Sequence, residues 1–507
     1  MRKSTGAEYG RLLNLVYIIS DMVIFLSFLY TLYIPDSLGA THIPIKLIGA
    51  SQMAKPDRNT FQNRLNEMMN SIRQNILKGV YKPGDFLPAE TALADQFLLS
   101  KNSVRLVLEK LVDDGLILKI PRVGTQVASR PQQTVVRFGV YPSLYEEANI
   151  GQLIARFQEE HPHIRIEPLK LPYFQAESVK QLLQSGIVDV ITLNHIDYAH
   201  FRENDNLHVL EHYPEPQEVY PFLNDLFATE EGTVAVRPFI FSPVILCYNK
   251  EHFRQRRLFE PDSSWDWHDL RDALTKVSSP DRFGLFFHLS SYTRWPIFFL
   301  QNRAEFRRDE NGRLSIEDPD MLGLLRFIRE LIHEDGLFPL VMSFGEHDAE
   351  KLFKQQKVSV ILTTYYRLNQ LIDADFPFDI AQLPKSRTHD TQLLTTGIAV
   401  GSMSARKDEA RCFADYLLSE PSQSFIRRHS FSLPANKWIT ESAQPELPNK
   451  PARLELHREL IPHYATQDRL KLTFDEIQLL GGCLGQYFSR LVDEDGLIRL
   501  FNKQLKP

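Results

Sequence analysis

Apolar residues between positions 61 and 113 recur at three- and four-residue steps, the spacing of one buried helix face. The first apolar series consists of Leu65, Met68, Met69, Ile72 and Ile76. It predicts a helix that ends before Gly79. Pro88 suits the first turn of a second helix because its fixed φ is already helical. Ser100 can cap a third helix, whose inward positions are Val104, Val107, Leu108 and Leu111.

Two short strands are predicted after Gly115, over residues 116–120 and 125–128, with residues 121–124 as the tip between them. Three helices followed by a β-hairpin are typical of a winged helix-turn-helix, and we expect this DNA-binding domain to span residues 60–129. The alternative is a small helical subdomain without a DNA role. The third helix would place Asn102, Arg105 and Leu106 on its outward face, with Lys101 at its N-terminal edge.

These residues resemble the GntR family of bacterial regulators. Lys101 stands where the family usually has an arginine, Asn102 and Ser103 stand at polar recognition-helix positions, and Arg105 stands at the arginine of "T-V-R". Gly124 and Thr125 match the glycine and threonine of the wing. The resemblance implies that double-stranded DNA contacts the following residues: Lys101, Asn102, Ser103, Arg105, Arg122, Gly124 and Thr125.

Two positions depart from the family pattern. Thr91 occupies a place where the family commonly has a DNA-contacting arginine, and Arg122-Val123 replace the usual glycine-lysine of the wing. Fewer cationic side chains imply fewer phosphate contacts and a weaker dependence of affinity on salt, although Arg122 can restore one of them.

The pattern changes to alternating strands and helices after the short polar linker 128–133. Predicted strands over 135–140, 164–168 and 188–193 are separated by helices over 150–160 and 176–185. This alternation implies a parallel sheet covered by helices. Similar units recur at 244–248, 358–362 and 393–400, too many for one small sheet, so we predict two α/β lobes. The predicted fold is therefore multidomain: an α+β winged helix-turn-helix followed by a two-lobed α/β domain over 134–507.

Several segments in order resemble the family 1 extracellular solute-binding proteins of ABC importers, many of which bind sugars. They include residues 157–164, 189–191 (Asp-Val-Ile), 248–253 (Tyr-Asn-Lys-Glu-His-Phe), 264–270 and 410–417. Each is weak alone, but their order and spacing are specific. The resemblance implies a periplasmic-binding-protein-like fold whose two lobes close around a small solute.

Open α/β sheets bind ligands at the carboxyl ends of their strands, so the loops after the predicted strands are candidates for the ligand cleft. Aromatic faces stack on the C–H faces of sugar rings, while Asp, Asn and Arg side chains bond to hydroxyl groups. The predicted ligand-binding residues are Tyr141, Asn194, Asp197, Tyr292, Arg294, Trp295, Tyr365, Tyr366, Arg367 and Thr396. Any of the aromatics could instead fill the core.

Composition narrows the class of protein without deciding it. A net charge of −6 argues against general polyanion binding, whereas the helix-turn-helix segment is mildly basic. Three widely spaced cysteines fit a reducing compartment and free thiols. No phosphate-binding glycine loop, nucleophile elbow or HExxH motif occurs, and His161-Pro162-His163 is interpreted as a turn. We therefore expect no enzyme activity, no metal and no cofactor.

The N-terminal residues conflict with this picture. Residues 12–34 are mostly apolar and long enough to cross a bilayer, and Arg2, Lys3 and Arg11 precede them. A helix-turn-helix outside the cytoplasm would have no DNA to bind. We favour translation from Met53, with residues 1–52 as upstream sequence; a membrane anchor and a soluble extension are the alternatives.

The sequence thus predicts a cytoplasmic, homodimeric transcription regulator that senses a solute, with a sugar or oligosaccharide as the first expectation. One rival is a membrane-tethered or exported transport solute-binding protein. Another is a DNA-binding protein whose lobes serve only as a ligand-free dimerisation scaffold. The C-terminal residues beyond about 440 are predicted to end in helices that either pack on the lobes or contribute to dimerisation.

Overall fold

The computed structural model describes residues 58–77, 79–128, 133–173, 175–289, 291–308, 310, 314–339, 348–443 and 445–504. The described residues from 62 to 504 belong to one compact unit. The predicted anchor or upstream segment, residues 1–52, and Met53 lie outside the described residues. Within the described ranges, no helix is both long enough and apolar enough to cross a membrane.

The winged-helix region, residues 58–128, consists of three helices and a hairpin. Its elements are α1 (Arg58–Leu77), α2 (Glu90–Phe97), α3 (Lys101–Asp113), β1 (Ile117–Ile120) and β2 (Gly124–Val127). Met68, Ile72 and Leu111 are buried between the helices, as the apolar spacing predicts. The Ser100 side chain accepts a hydrogen bond from the backbone N–H of Ser103, which confirms the predicted cap of α3.

The second helix begins later than predicted. It starts at Glu90 with Ala89 as its N-cap, so Pro88 precedes the helix rather than occupying its first turn. The chain then leaves α2 through Leu98, whose φ of 53° is in the left-handed region and turns the backbone toward α3. The strands β1 and β2 pair antiparallel, with Ile120 opposite Gly124.

Lobe 1 has a core built on parallel strands. Its strands are β3 (Thr134–Val140), β4 (Ile164–Lys170) and β5 (Val190–Asn194), and β3 pairs parallel to both neighbours. The helices that pack around this core are α4 (Leu144–Glu147), α5 (Ile150–Glu160), α6 (Ala176–Gln184), α7 (His195–Glu203), α8 (Pro221–Phe227), α15 (Lys407–Leu418) and α16 (Glu420–His429). Phe138, Phe157 and Phe413 meet at its centre.

Lobe 2 surrounds a second hydrophobic core. Its strands are β7 (Phe283–Phe286), β8 (Arg307–Arg308), β9 (Leu314–Ser315), β10 (Val358–Thr364), β11 (Phe378–Ala381), β13 (Leu433–Pro434) and β14 (Tyr464–Ala465). Its helices are α9 (Lys250–Arg256), α10 (Trp267–Val277), α11 (Pro296–Asn302), α12 (Pro319–His333), α13 (Asp348–Lys354), α14 (Tyr365–Leu368), α17 (Lys437–Ser442) and α18 (His457–Leu460). Short 3₁₀ turns occur at Leu207–Val209, Asn369–Leu371, Leu454–Leu456, Ile461–His463 and Gln467–Leu470.

Two long strands connect the lobes. They are β6 (Arg237–Asn249) and β12 (Thr391–Val400), which pair antiparallel with each other. β12 also pairs antiparallel with β5 in lobe 1, and β6 with β10 in lobe 2, so the strand order is β4-β3-β5-β12-β6-β10-β7. The prediction of a parallel sheet is therefore wrong for the connecting strands, because β6 and β12 run antiparallel to each other and to their neighbours β10 and β5.

The last two helices pack on the lobes. The last helices are α19 (Phe474–Phe488) and α20 (Glu494–Gln504), and their apolar residues, such as Leu484 and Phe501, join the core of lobe 2. Arg308 of lobe 2 pairs with Glu476 at 2.7 Å. The same segment touches lobe 1, since the backbone N–H of Phe474 donates to the Glu203 carboxylate at 3.2 Å.

Candidate DNA-binding surface and ligand cleft

The third helix of the winged-helix region presents four of its first six residues to solvent. Lys101, Asn102, Arg105 and Leu106 are exposed, while the intervening Val104 is fully buried. The outward face predicted for this helix is therefore the exposed one. The Arg105 guanidinium lies 2.8 Å from the carboxylate of Glu90, and both groups remain partly in water.

Ser103 does not share this exposed face. Only 6% of the residue is exposed, and its hydroxyl lies 2.7 Å from that of Ser100. The position follows from helix geometry, because residue 103 falls on the same side as Val104 and Val107. Its hydroxyl bonds to the capping side chain of Ser100 instead of pointing toward a groove, which corrects the placement that the resemblance implied.

The tip of the hairpin is exposed and shaped by two unusual backbone conformations. Arg122 has a φ of 64° and Gly124 a φ of 148°, and both residues are exposed. A Cβ at Gly124 would lie 3.3 Å from the Phe86 ring, so glycine lets the hairpin lie close to that ring. Thr125 is half-buried, and its carbonyl accepts the N–H of Leu87.

A cavity of about 380 Å³ is lined by residues from both lobes and from the ends of the connecting strands. Its lining residues are Glu147, Tyr173, Asn194, His195, Ile196, Thr293, Arg294, Thr364, Tyr366, Arg367, Leu394, Thr395 and Thr396. Five predicted ligand-binding residues are among them: Asn194, Arg294, Tyr366, Arg367 and Thr396. We call this cavity the cleft.

Two further predicted residues lie behind the lobe 1 wall of the cleft. The Tyr141 hydroxyl donates to the Asp197 carboxylate at 2.6 Å, and the Asn194 amide donates to the same oxygen at 2.7 Å. Burial raises the pKa of Tyr141 well above its usual value, and Asp197 raises it further. The Tyr141 ring stacks on Tyr173, with centroids 4.2 Å apart. Tyr141 and Asp197 therefore hold Asn194 and Tyr173, which line the cleft.

Three predicted aromatics do not line the cleft. Tyr365 is fully buried in lobe 2, where its hydroxyl donates to the Leu454 carbonyl and accepts the N–H of His457. Trp295 is 2% exposed, and its indole nitrogen would lie 3.2 Å from a Cβ at Gly481. The half-buried Tyr292 packs against the lobe 2 core. The proposal that Trp295 and Tyr365 stack on a sugar is therefore wrong, because packing places their rings in the core.

Two arginines contribute charge to the lobe 2 wall. Arg294 is 5% exposed, with Nε donating to the Leu362 carbonyl at 3.2 Å and Nη1 to the Thr293 hydroxyl at 2.7 Å. Arg367 follows Thr364, whose hydroxyl accepts its backbone N–H at 3.2 Å. Glu350 is buried beside both arginines; burial raises its pKa, and the positive charges of Arg367 and Arg294 partly oppose that rise.

The cleft also contains residues that were absent from the predicted set. They are Glu147, Tyr173, His195, Ile196, Thr293, Thr364, Leu394 and Thr395. Several are sequence neighbours of predicted residues, so the loops that carry the predicted residues reach the cleft even where an individual predicted side chain does not. Glu147 and Tyr173 had no such signal, since they follow β3 and β4 at a distance and reach the cleft through tertiary packing.

The turn His161-Pro162-His163 packs beside Phe157 and Cys412. The His161 ring stacks on Phe157 at 4.6 Å, and its Nδ1 lies 3.8 Å from the sulfur of Cys412. Within the described ranges, no group of three or more His, Cys, Asp and Glu residues is arranged to hold a metal ion.

Two family models match the chain in the two parts described above. The model of the bacterial extracellular solute-binding proteins matches residues 141–424, and that of bacterial regulatory proteins of the gntR family matches residues 66–127. The chain belongs to the bacterial extracellular solute-binding protein family and carries a gntR-family helix-turn-helix domain at its N-terminal side.

Individual relatives agree with this division. The uncharacterized HTH-type transcriptional regulator YieP of Escherichia coli is 35% identical over 86 residues, which is 17% of this chain and 37% of YieP. The chain spans about a third to a half of the length of the first curated relatives that it matches.

Solved structures match the lobes. The Lmo0181 substrate-binding protein of Listeria monocytogenes, in complex with cycloalternan, aligns with a TM-score of 0.61 and 16% sequence identity. The alignment covers 73% of this chain and 98% of Lmo0181. Maltose-bound MalE3 of T. maritima aligns with a TM-score of 0.62 and 16% sequence identity, and the alignment covers 73% of this chain and 99% of MalE3. At this identity the likeness shows the fold alone.

Proposed function

We propose that this chain is a DNA-binding transcription regulator whose two-lobed domain senses a small solute, in the first instance a sugar. The observation that carries the proposal is the joining of a gntR-family domain to a solute-binding fold with a cleft. Both families are non-enzymatic in general, and we propose no catalytic activity.

On the DNA side, the exposed face of α3 would enter a major groove. Lys101, Asn102 and Arg105 are then placed to meet base edges and phosphates, and Arg122 at the hairpin tip to meet the flanking backbone. A homodimer would bind paired half-sites about one helical turn apart. Reading genomic DNA requires a cytoplasmic location, which is part of this proposal.

On the solute side, the cleft combines hydroxyl, amide, guanidinium and aromatic side chains, a set suited to a polyhydroxylated ligand. Its volume of about 380 Å³ lies toward the small end of the range of ligand pockets, about 300–1,000 Å³. The solved neighbours named above hold maltose and cycloalternan in the same fold. A mono- or disaccharide therefore suits the cleft better than a long oligosaccharide.

Solute binding can control DNA binding only through a difference in affinity between two arrangements of the protein. Residues lining the cleft come from both lobes, so a bound solute would favour the arrangement in which both walls contact it. The same arrangement would set the spacing of two winged-helix regions in a dimer. Whether the result is tighter or weaker DNA binding follows from which spacing fits the operator.

Selection of genomic fragments by the purified full chain tests the proposal. We expect enrichment of a site with two related half-sites, and binding that weakens steeply with salt and is reduced in Arg105→Ala. Failure to enrich any site, with or without sugars, would contradict the regulator and leave a transport solute-binding protein as the alternative.

A further inference from the structure

Two buried polar atoms in the cleft wall have no hydrogen-bond partner within the described part of the chain. They are Nε2 of His195 and Oγ1 of Thr395. His195 is 6% exposed and Thr395 is 1% exposed, and both residues line the cleft. A buried polar group without a partner costs about 1–3 kcal/mol, so such atoms are rare unless something else satisfies them.

The protonation of His195 follows from the hydrogen bond at its Nδ1. Its Nδ1 lies 3.3 Å from the backbone nitrogen of Thr395, which can only donate. Nδ1 must therefore be the acceptor, and the ring proton lies on Nε2. Burial lowers the pKa of His195, which agrees with a neutral ring. The negative charge of Asp468 in the C-terminal segment partly opposes this lowering of the His195 pKa. His195 is also the first residue of α7.

The two residues that carry these atoms are joined by this hydrogen bond. Because the Thr395 backbone bonds to the imidazole and both residues line the cleft, they belong to adjoining parts of one wall. We propose that His195 and Thr395 form a specificity pair for a neutral, hydroxyl-bearing solute: Nε2–H donates to a solute oxygen, and the Thr395 hydroxyl bonds to the same or a neighbouring solute hydroxyl. This inference rests on the proposed solute-binding function and names the chemistry of its site.

Thermal unfolding of the full chain tests the pair without any ligand. Thr395→Val removes an unpaired hydroxyl at nearly constant shape, so the unfolding temperature should rise by about 1–3 °C. Thr391→Val is the matched control on the same strand, because the Thr391 hydroxyl donates to the Val244 carbonyl. That variant should unfold at a lower temperature. A fall in Thr395→Val equal to that in Thr391→Val would overturn the inference, since the hydroxyl would then be paired in the free protein.

Calorimetric titration with neutral mono- and disaccharides and the matching uronic acids provides the second arm. A neutral sugar should bind with affinity that is constant between pH 6 and 8, and His195→Leu or Thr395→Val should weaken it at least tenfold. His195→Gln, which keeps an N–H donor near Nε2, should recover part of the loss. Binding of the acids alone, with affinity rising as pH falls, would overturn the neutral-donor assignment.

The two arms separate this inference from the function on which it rests. If no sugar binds the unmodified chain, the proposed solute sensing fails, whereas the comparison of Thr395→Val with Thr391→Val still decides whether the hydroxyl is unpaired. If sugars bind and both variants bind them unchanged, the pair is not the specificity element and the sensing function stands.

Discussion

The exposed face of α3 and the cleft use similar residue types under opposite conditions. The Arg105 side chain is 54% exposed and its partner Glu90 is 31% exposed, so water screens their attraction. At the cleft, Arg294 in the lobe 2 wall is 5% exposed, and Asp197 behind the lobe 1 wall is 2% exposed. Both side chains form hydrogen bonds with buried neighbours. Charged side chains are therefore held loosely on the exposed face of α3 and are fixed by hydrogen bonds at the cleft.

This difference predicts which property a substitution will change in each region. On α3, removing a charge should change DNA affinity and leave folding nearly intact, because no buried group loses a partner. At the cleft, substitution of a hydrogen-bonded side chain such as Arg294 or Asn194 should change stability and solute binding together, because that side chain also holds its neighbours. Four substitutions or conditions sharpen the contrast, in order of decreasing expected effect.

The largest effect is expected at Asp197. Asp197→Ala leaves the Tyr141 hydroxyl and the Asn194 amide without their shared acceptor in a buried place, and we expect a loss of about 3 kcal/mol in the free energy of unfolding. Urea unfolding followed by tryptophan fluorescence measures it, since all four tryptophans lie in the lobes. The exposed Glu230→Ala is the control and should stay within about 0.5 kcal/mol. Equal stability of the two variants would contradict the buried network.

Acid should destabilise the lobes. Burial lowers the pKa of His457 to about 3 and that of His252 to about 4. Both lie below the value of about 6.5 expected when unfolded, so the unfolded chain binds protons first as pH falls. We expect the free energy of unfolding to fall by about 2 kcal/mol between pH 6.5 and 5.5, about 1 kcal/mol for each of the two histidines, and less steeply in His252→Gln. The winged-helix region contains no histidine, so it lacks this contribution. A lobe stability independent of pH in this window would contradict the assignment.

On the DNA side, Arg105→Ala should weaken operator binding about tenfold and reduce the salt dependence by about one phosphate contact, with folding unchanged. Fluorescence anisotropy across a salt series measures both quantities. Arg165→Ala, an exposed arginine of lobe 1, is the matched control and should bind DNA as the unmodified chain does. Equal losses in both variants would mean that net charge, rather than the face of α3, determines binding.

The smallest effect is expected at Glu90. Glu90→Gln removes the carboxylate beside Arg105, so the guanidinium is freer to meet a phosphate, and affinity should rise about two- to threefold at low salt. A loss of affinity would instead show that Glu90 orients Arg105 for DNA.

The contrast also explains what the sequence could predict. The face of α3 is contiguous, so helical periodicity alone separated Arg105 from Val104. Ser103, which only the family resemblance assigned to DNA contact, lies on the buried side. The cleft is assembled from residues far apart in sequence. Tyr365 and Tyr366 are adjacent, yet one is held in the lobe 2 core by Leu454 and His457 while the other lines the cleft. No local pattern distinguishes two such neighbours.

The direction of the connecting strands could not be predicted from the local sequence pattern either. Strand and helix positions in lobe 1 followed from periodicity, as at Ile150–Glu160, which has the predicted bounds. The antiparallel course of β6 and β12 did not, because fully buried strands carry continuous apolar runs that do not record strand direction. The lining of the cleft depends on that direction, since Thr395 and Thr396 reach it from β12.

The most direct test of the account is the thermodynamic coupling between solute and operator. Operator affinity is measured by anisotropy with and without the sugar that binds the cleft, and sugar affinity by calorimetry with and without operator. A regulator requires that both affinities change by the same factor, because coupling between two sites is reciprocal. Specific binding of both ligands with a factor of one would contradict the account and leave the lobes without a role in controlling DNA binding.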